Sequence, residues 1–173
     1  MSDNFRENFS QLYDKYIDKI YRFVYFKVSS QEIAEDLTSE AFIRYWDSVK
    51  KDPSRIDNAQ AFLYQIARNL VTDHYRDKGR SQTVSTDDIY MADPRPSIEE
   101  KACDISDVEM IKANMANIKD DYKDVIIWRY VEELPMSEIA ELTGKSEGAV
   151  RVLIHRALKS LRNEIENKGG FEV

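Results

Sequence analysis

Residues 134–161, LPMSEIAELTGKSEGAVRVLIHRALKSL, read as two helices joined by a tight turn. In the first, Met136, Ile139, Ala140 and Leu142 form a short apolar stripe, and Ser137 is placed to cap the first turn ahead of Glu138. Gly144 stops that helix, because a left-handed residue costs least without a Cβ. Ser146 then caps a second helix, in which Val150, Ile154, Ala157, Leu158 and Leu161 recur at three- and four-residue spacing. The other face carries Arg151, Val152, His155, Arg156 and Lys159. From Lys145 to Arg162 there are five Lys/Arg against one acid, in a chain whose net charge is −7. A helix apolar behind and basic in front, delivered by a short glycine turn, suits the major groove of DNA. The alternative at this point is a solvated basic face on an ordinary helical hairpin, since that shape also occurs without DNA.

Working outward, 173 residues allow one medium domain or two small ones. A hydrophobic fraction of 42% suffices for cores, and the absence of any apolar run near the roughly 20 residues of a bilayer span argues against membrane insertion. MSDNFRENFSQ lacks the basic-then-apolar order of a signal peptide, so the cytoplasm is the simplest compartment. The single cysteine, Cys103, excludes an internal disulfide framework, and His74 and His155 have no second ligand at metal spacing. No catalytic residues, metal site or cofactor is expected. Five glycines and four prolines fit an all-helical protein.

Charge is segregated along the chain. Residues 62–80 hold four Lys/Arg and two acids, whereas residues 81–109 hold eight acids and two bases. That pattern suggests two nucleic-acid-facing patches separated by an acidic connector. Phe5 to Val28 is amphipathic with a helical period, and a second helix spans about Glu32 to Lys50, with Ile33, Leu37, Ala41, Phe42, Tyr45, Trp46 and Val49 on one side. Pro53 breaks the polar loop KDPSRIDN at 51–58. A third helix runs from about Ala59 to Lys78 on the stripe Phe62, Leu63, Ile66, Ala67, Leu70 and Val71, closed by Gly79. The expected fold is all-α: a helical domain at 1–80, a flexible acidic linker at 81–104 and a second helical domain at 105–173 containing the helix-turn-helix. In that second domain Val108, Ile111, Met115 and Ile118 mark one helix, and Tyr122, Val125, Ile126 and Tyr130 the next.

Three stretches in this order, AEDLTSEAFIRYWDSV at 34–49, AFLYQIARNLVTDHYRDKGR at 61–80 and LPMSEIAELTGKSEGAVRVLIHRALKSLR at 134–162, resemble an extracytoplasmic-function sigma factor of the sigma-70 family of bacterial RNA polymerase. The resemblance implies that the first stretch binds the largest subunits of core polymerase through Glu35, Asp36, Ser39, Glu40 and Arg44, Ser39 standing where relatives usually have Gln. It implies that Arg55, Asp57, Asn58, Phe62, Arg68, Asn69 and Arg76 meet the melted −10 element of promoter DNA, with Lys78 and Arg80 steadying the backbone. Lys145, Ser146, Arg151, Val152, His155, Arg156 and Lys159 would meet the double-stranded −35 element. An anti-sigma factor is a further implied partner; no small-molecule substrate is.

The chemistry suits each role. Asp36, Glu40 and Arg44 recur every four residues and so share one helical face. Phe42 and Trp46 can supply apolar anchors to an interface, or can sit in the core. Capturing unstacked bases needs aromatic surfaces and cations, which the loop and third helix offer; Phe62, Tyr64 and Tyr75 fit either that task or the core. Arg reads guanine bidentately, and Val152 can meet a thymine methyl. Two rivals remain. A stand-alone helix-turn-helix regulator would bind DNA unaided, and an enzyme would need a phosphate loop, triad or metal cluster that is not legible.

Overall fold

The computed structural model describes residues 2–81 and 102–168, and among them every regular element is helical. The chain divides into two compact units, Met1–Pro94 and Arg95–Val173. The expected linker, 81–104, lies outside the described residues except at its ends, where Ser81 and residues 102–104 belong to helices.

In the first unit, α1 (Ser2–Val28), α2 (Gln31–Lys51) and α3 (Ala59–Ser81) pack in all three pairings. The periodic apolar positions become the core: Ile20, Phe23 and Val24 of α1, Ala34 and Ala41 of α2, and Leu63 and Ala67 of α3 are fully buried. Each large aliphatic or aromatic side chain so buried stabilises by about 1.5–3 kcal/mol. Ala34 and Ala41 lie seven residues apart on one stripe of α2, where a small side chain lets a neighbouring helix approach. Ser30 turns the chain into α2, its hydroxyl accepting from the Ile33 amide at 3.4 Å. Tyr64 is core, 5.2 Å from Phe23 ring to ring in an edge-on pair. The Tyr75 hydroxyl donates to the Lys27 carbonyl and ties α3 to the end of α1. Gly79 does not close α3. The helix runs on to Ser81, and a glycine at a helical position costs only about 1 kcal/mol of propensity.

The second unit is built on α7 (Glu147–Lys168), which packs against α4 (Ala102–Met115), α5 (Asp120–Ile126) and α6 (Met136–Thr143). Val150, Ile154 and Ala157 face a core shared with Met115, Ile118, Val125, Trp128 and Ile139. Leu158 and Ile111, expected on the buried stripes, are 38% and 36% exposed. The helix expected to run through Tyr130 instead widens after Ile126 into a π turn, Ile127–Val131. There the Glu132 amide donates to the Ile127 carbonyl at 2.9 Å, and the Leu134 amide donates to Trp128 at 2.8 Å. Glu133 takes the left-handed region at φ 54° to release the chain. The widening turns Trp128 inward and leaves Tyr130 53% exposed.

The hairpin of α6 and α7 forms, but starts differently from its expected cap. Pro135, not Ser137, occupies the N-cap of α6, and its carbonyl accepts from the Glu138 and Ile139 amides. The helix therefore starts at Met136, and Ser137 falls inside its first turn with no cap bond to make. Gly144 sits at φ 66°, and the Lys145 amide donates back to Ala140 at 3.1 Å. The Ser146 hydroxyl accepts from the Ala149 amide at 3.2 Å.

Two glycines in this hairpin respond to alanine in opposite senses. Gly144→Ala places a Cβ in the left-handed region and is expected to destabilise the second unit by about 1–2 kcal/mol. Gly148→Ala, helical and with open space around a Cβ, is expected to stabilise it by up to about 1 kcal/mol. Urea unfolding followed by Trp128 fluorescence in a Trp46→Phe background checks both, since these are the chain's two tryptophans.

Candidate nucleic-acid and protein interfaces

On α2 the stripe opposite the core is charged. Glu35, Asp36, Ser39 and Arg44 are exposed and Glu40 is half-buried, so all five candidate polymerase contacts lie outside the core. Glu40 Oε1 and Arg44 Nε meet at 2.8 Å, and Glu35 Oε1 accepts from Gln31 Nε2 at 2.9 Å. An exposed i,i+4 ion pair of this kind is worth about 0.3–0.5 kcal/mol. Phe42 cannot be an interface anchor, because it is 3% exposed and packs edge-on against Phe9 and Tyr13. Trp46 is half-buried, its ring 4.6 Å from both Phe5 and Phe9. The exposed apolar group on this face is Ile43, at 55%, which the reading of the sequence did not single out. Its signal was available: it falls off the stripe of Ile33, Leu37, Ala41 and Tyr45 and onto that of Asp36, Ser39 and Glu40.

The loop between α2 and α3 is organised by Asp52. Its carboxylate accepts from the Ser54 amide at 3.1 Å and the Ser54 hydroxyl at 2.6 Å, shaping a short 3-10 turn at Pro53–Arg55. The hydroxyl bond from Ser54, then its amide bond, hold that carboxyl below the ordinary Asp range. Arg55 and Asp57 point to solvent from this turn. Asn58 caps α3, its Oδ1 accepting from the Ala61 amide at 2.9 Å, so part of its amide shapes the helix rather than waiting for a base. From Asn58 the residues Phe62, Gln65, Asn69, Thr72 and Arg76 follow at alternating steps of four and three, which makes one strip along α3. Phe62 is half-exposed, 5.9 Å from the Tyr45 ring; Gln65, Asn69, Thr72 and Arg76 are exposed. Arg68 is half-buried beside the strip, and Arg76 lies 3.7 Å from Asp73.

On α7 and the turn before it the candidate residues are all exposed: Lys145, Ser146, Arg151, Val152, His155, Arg156 and Lys159. Val152, 50% exposed, stands opposite buried Val150, Ile154 and Ala157, with Arg156 and Lys159 one and two turns on and His155 alongside. Arg151 lies on the flank, 3.8 Å from Glu147. Amides of the first turn, near Ser146 and exposed Gly148, form an anion seat of the usual helix-terminus kind, although Ser146 already takes one of them. The result is an exposed cationic face with an aliphatic centre. Among the described residues no helix is long and apolar enough to cross a membrane.

Comparison with known proteins gives two family matches. The model described as Sigma-70 region 2 matches residues 12–81, and that described as Sigma-70, region 4 matches 110–161. The chain is 32% identical to the ECF RNA polymerase sigma factor BldN of Streptomyces coelicolor, over 88% of this chain and 58% of that protein. It is 30% identical to the ECF RNA polymerase sigma factor SigX of Bacillus subtilis, over 92% of this chain and 84% of that one. In fold it is similar to the sigma factor RpoE solved with the anti-sigma factor NepR from Bartonella quintana, with a TM-score of 0.67 at 19% identity, over 94% and 99% of the two chains.

Within the strip-bearing helix, His74 is half-buried against Tyr75. Burial first, then the nearby Lys78 cation, push its pKa down, while Asp77 opposes them. The folded first unit therefore prefers the neutral imidazole. That contribution is complete above the ordinary histidine value of about 6.5 and is lost as pH falls below it. NMR titration of the His74 ring is expected to give a midpoint below about 6.5. His74→Gln should flatten the acid side of the first unit's urea-unfolding stability profile.

Proposed function

The chain belongs to the sigma-70 family of RNA polymerase sigma factors, in its extracytoplasmic-function branch, and on that premise we propose how its exposed faces divide the work of starting transcription. As a sigma factor it directs core polymerase to specific promoters and is an initiation factor rather than an enzyme. The observation that carries this is the pair of region matches, in order, which together cover most of the described residues.

In our reading residues 1–80 form the polymerase- and −10-binding domain, 81–104 the linker and 105–173 the −35-binding domain. The α2 face of Glu35, Asp36, Ser39, Glu40 and Arg44 takes the largest subunits of polymerase. Its charges steer encounter and set register more than they add affinity. Once the duplex opens, the Arg55–Asn58 loop and the α3 strip receive the displaced strand. Phe62 offers a stacking surface, Asn69 a donor and acceptor for a base edge, and Arg68 and Arg76 phosphate contacts that position without specifying. On the −35 duplex, Arg151 and Arg156 read base edges from the major groove, and Val152 covers a thymine methyl. His155 lies alongside them, while Lys145, Ser146 and Lys159 hold phosphates. The work belongs in the cytoplasm with polymerase. An anti-sigma factor that covers the polymerase- and DNA-facing surfaces completes the scheme. A stand-alone regulator would leave the α2 face and the α3 strip without a task.

Run-off transcription from a promoter library tests this. Specific transcripts are expected only when the chain and core polymerase are both present, and no transcript from any library member would overturn the reading. On a promoter so found, Arg156→Ala is expected to lower transcription about 5- to 150-fold and to relax preference at one −35 position. Lys159→Ala should weaken all promoters alike and reduce the salt dependence of binding.

A further inference from the structure

Lys15 and Lys19 lie one turn apart on α1, their ammonium groups 5.2 and 5.9 Å from the centre of one ring, that of buried Tyr16. Like charges at that spacing repel, and Arg22, three residues past Lys19, adds a third cation to the stripe. The acids of the same helix do not relieve it. Of them only Asp18 stands at neighbour spacing to Lys15, and none does so to Lys19. Neither lysine forms an ion pair among the described residues.

Their place in the fold follows from the helix period. Around α1, at about 100° per residue, the order runs Tyr13, Phe9, Tyr16, Phe23, Lys19, Lys15. Tyr13 turns to Phe42 of α2 and Phe23 to Tyr64 of α3, so the two lysines border α3. Short connections between α1 and α2 and between α2 and α3 reverse the chain twice, so α1 and α3 run the same way, as the pairs Phe23–Tyr64 and Lys27–Tyr75 require. Lys15 and Lys19 precede Phe23 and so stand beside the start of α3 and the loop before it. The rings beneath them agree. Burial first, then the Tyr16 phenol, hold the Tyr45 pKa above its ordinary value, and the Tyr45 ring is 5.9 Å from Phe62. The loop's own carboxylates are Asp52, already bonded to Ser54, and Asp57, offset by exposed Arg55.

We propose that Lys15 and Lys19 form a phosphate seat on α1, together bridging one backbone phosphate of the displaced −10 strand as it passes the start of α3. This rests on the reading of the loop and the α3 strip as the −10 face, and adds a third element to that face. A phosphate fits because it answers two repelling ammonium groups at once, and because the seat is continuous with the stacking ring of Phe62. Both cations lie on one ring before any strand arrives, so little side-chain freedom is left to lose on binding.

Binding of holoenzyme, built from the full chain and core polymerase, to two DNAs decides it. One is a fork of a promoter found as above, duplex at −35 and single-stranded over the displaced −10 strand; the other is its −35 duplex alone. The double variant Lys15→Gln, Lys19→Gln is expected to weaken fork binding about three- to tenfold near physiological salt and to make its log–log salt slope shallower by about 0.7. Binding to the −35 duplex and to core polymerase should stay within about twofold of wild type. Lys15→Arg with Lys19→Arg should keep most of the fork affinity, since the charge is retained. Neutral methylphosphonates placed one at a time along the displaced strand should reveal one linkage where wild type falls to the level of the Gln variant and that variant loses nothing more. Unchanged fork binding by the Gln variant, or a loss that no single linkage reproduces, overturns the proposal while the −10 reading stands. So does a matching loss of core polymerase binding, which would make the partner an acidic protein surface. A wild-type holoenzyme that binds the fork no better than the −35 duplex overturns both. Urea unfolding of the Gln variant at the wild-type midpoint separates contact from stability, and the methylphosphonate scan of wild type needs no variant at all.

Discussion

A helix in a small core can hide only one stripe of its circumference. Here α2, α3 and α7 each bury theirs: Ala34, Ala41 and Tyr45; Leu63, Ala67 and Leu70; Val150, Ile154 and Ala157. Everything those helices offer to partners lies on what remains. The constraint is geometric before it is chemical, because a period of 3.6 residues sorts side chains by angle regardless of their character. It explains why one chain can carry an acidic face, a mixed polar strip and a cationic face without their charges competing locally. Each occupies its own helix, back to back with an apolar stripe. Orientation comes from the cores and affinity from the outward faces.

The same constraint made much of the molecule legible in its sequence. Long stripes in α1, α2, α3 and α7 repeat several times, and each repeat reinforces the phase, so their buried residues emerge where the periodicity puts them. The glycine stop at Gly144 and the serine cap at Ser146 were legible because each has a single local cause: an open left-handed region and an orphaned amide. Legibility failed where local causes compete. Ser137 is a good cap by type, but Pro135 with its fixed φ begins the helix first. Gly79 is a good terminator by type, yet nothing requires a left-handed residue there, and the helix continues. The π turn at Ile127–Val131 leaves no compositional mark, since its residues are ordinary core formers.

At the candidate interfaces, every polymerase and −35 candidate proved accessible, because charged residues on an apolar-backed helix have nowhere else to go. Aromatic residues were harder, because their bulk serves a core and a contact equally well. Phe42 and Tyr64 went inward, Trp46 joined a ladder with Phe5 and Phe9, and Phe62 stayed half out. Asn58 shows a third outcome, a residue whose polar end is enlisted by the backbone beside it. The exposed aliphatics Ile43 and Val152 occupy corresponding central places on the acidic and cationic faces.

The π turn carries an evolutionary consequence. Such a turn is a helix that has absorbed one extra residue, so its removal re-phases by about 100° all that follows, until a loop takes up the difference. In this chain the next slack is left-handed Glu133 and the two residues, Leu134 and Pro135, that precede α6. An insertion or deletion between Asp120 and Val131 would thus be heard downstream in the aim of the hairpin. Homologues that drift in length should therefore keep this joint intact and vary elsewhere. A chimera that transplants the hairpin should take the joint along with it.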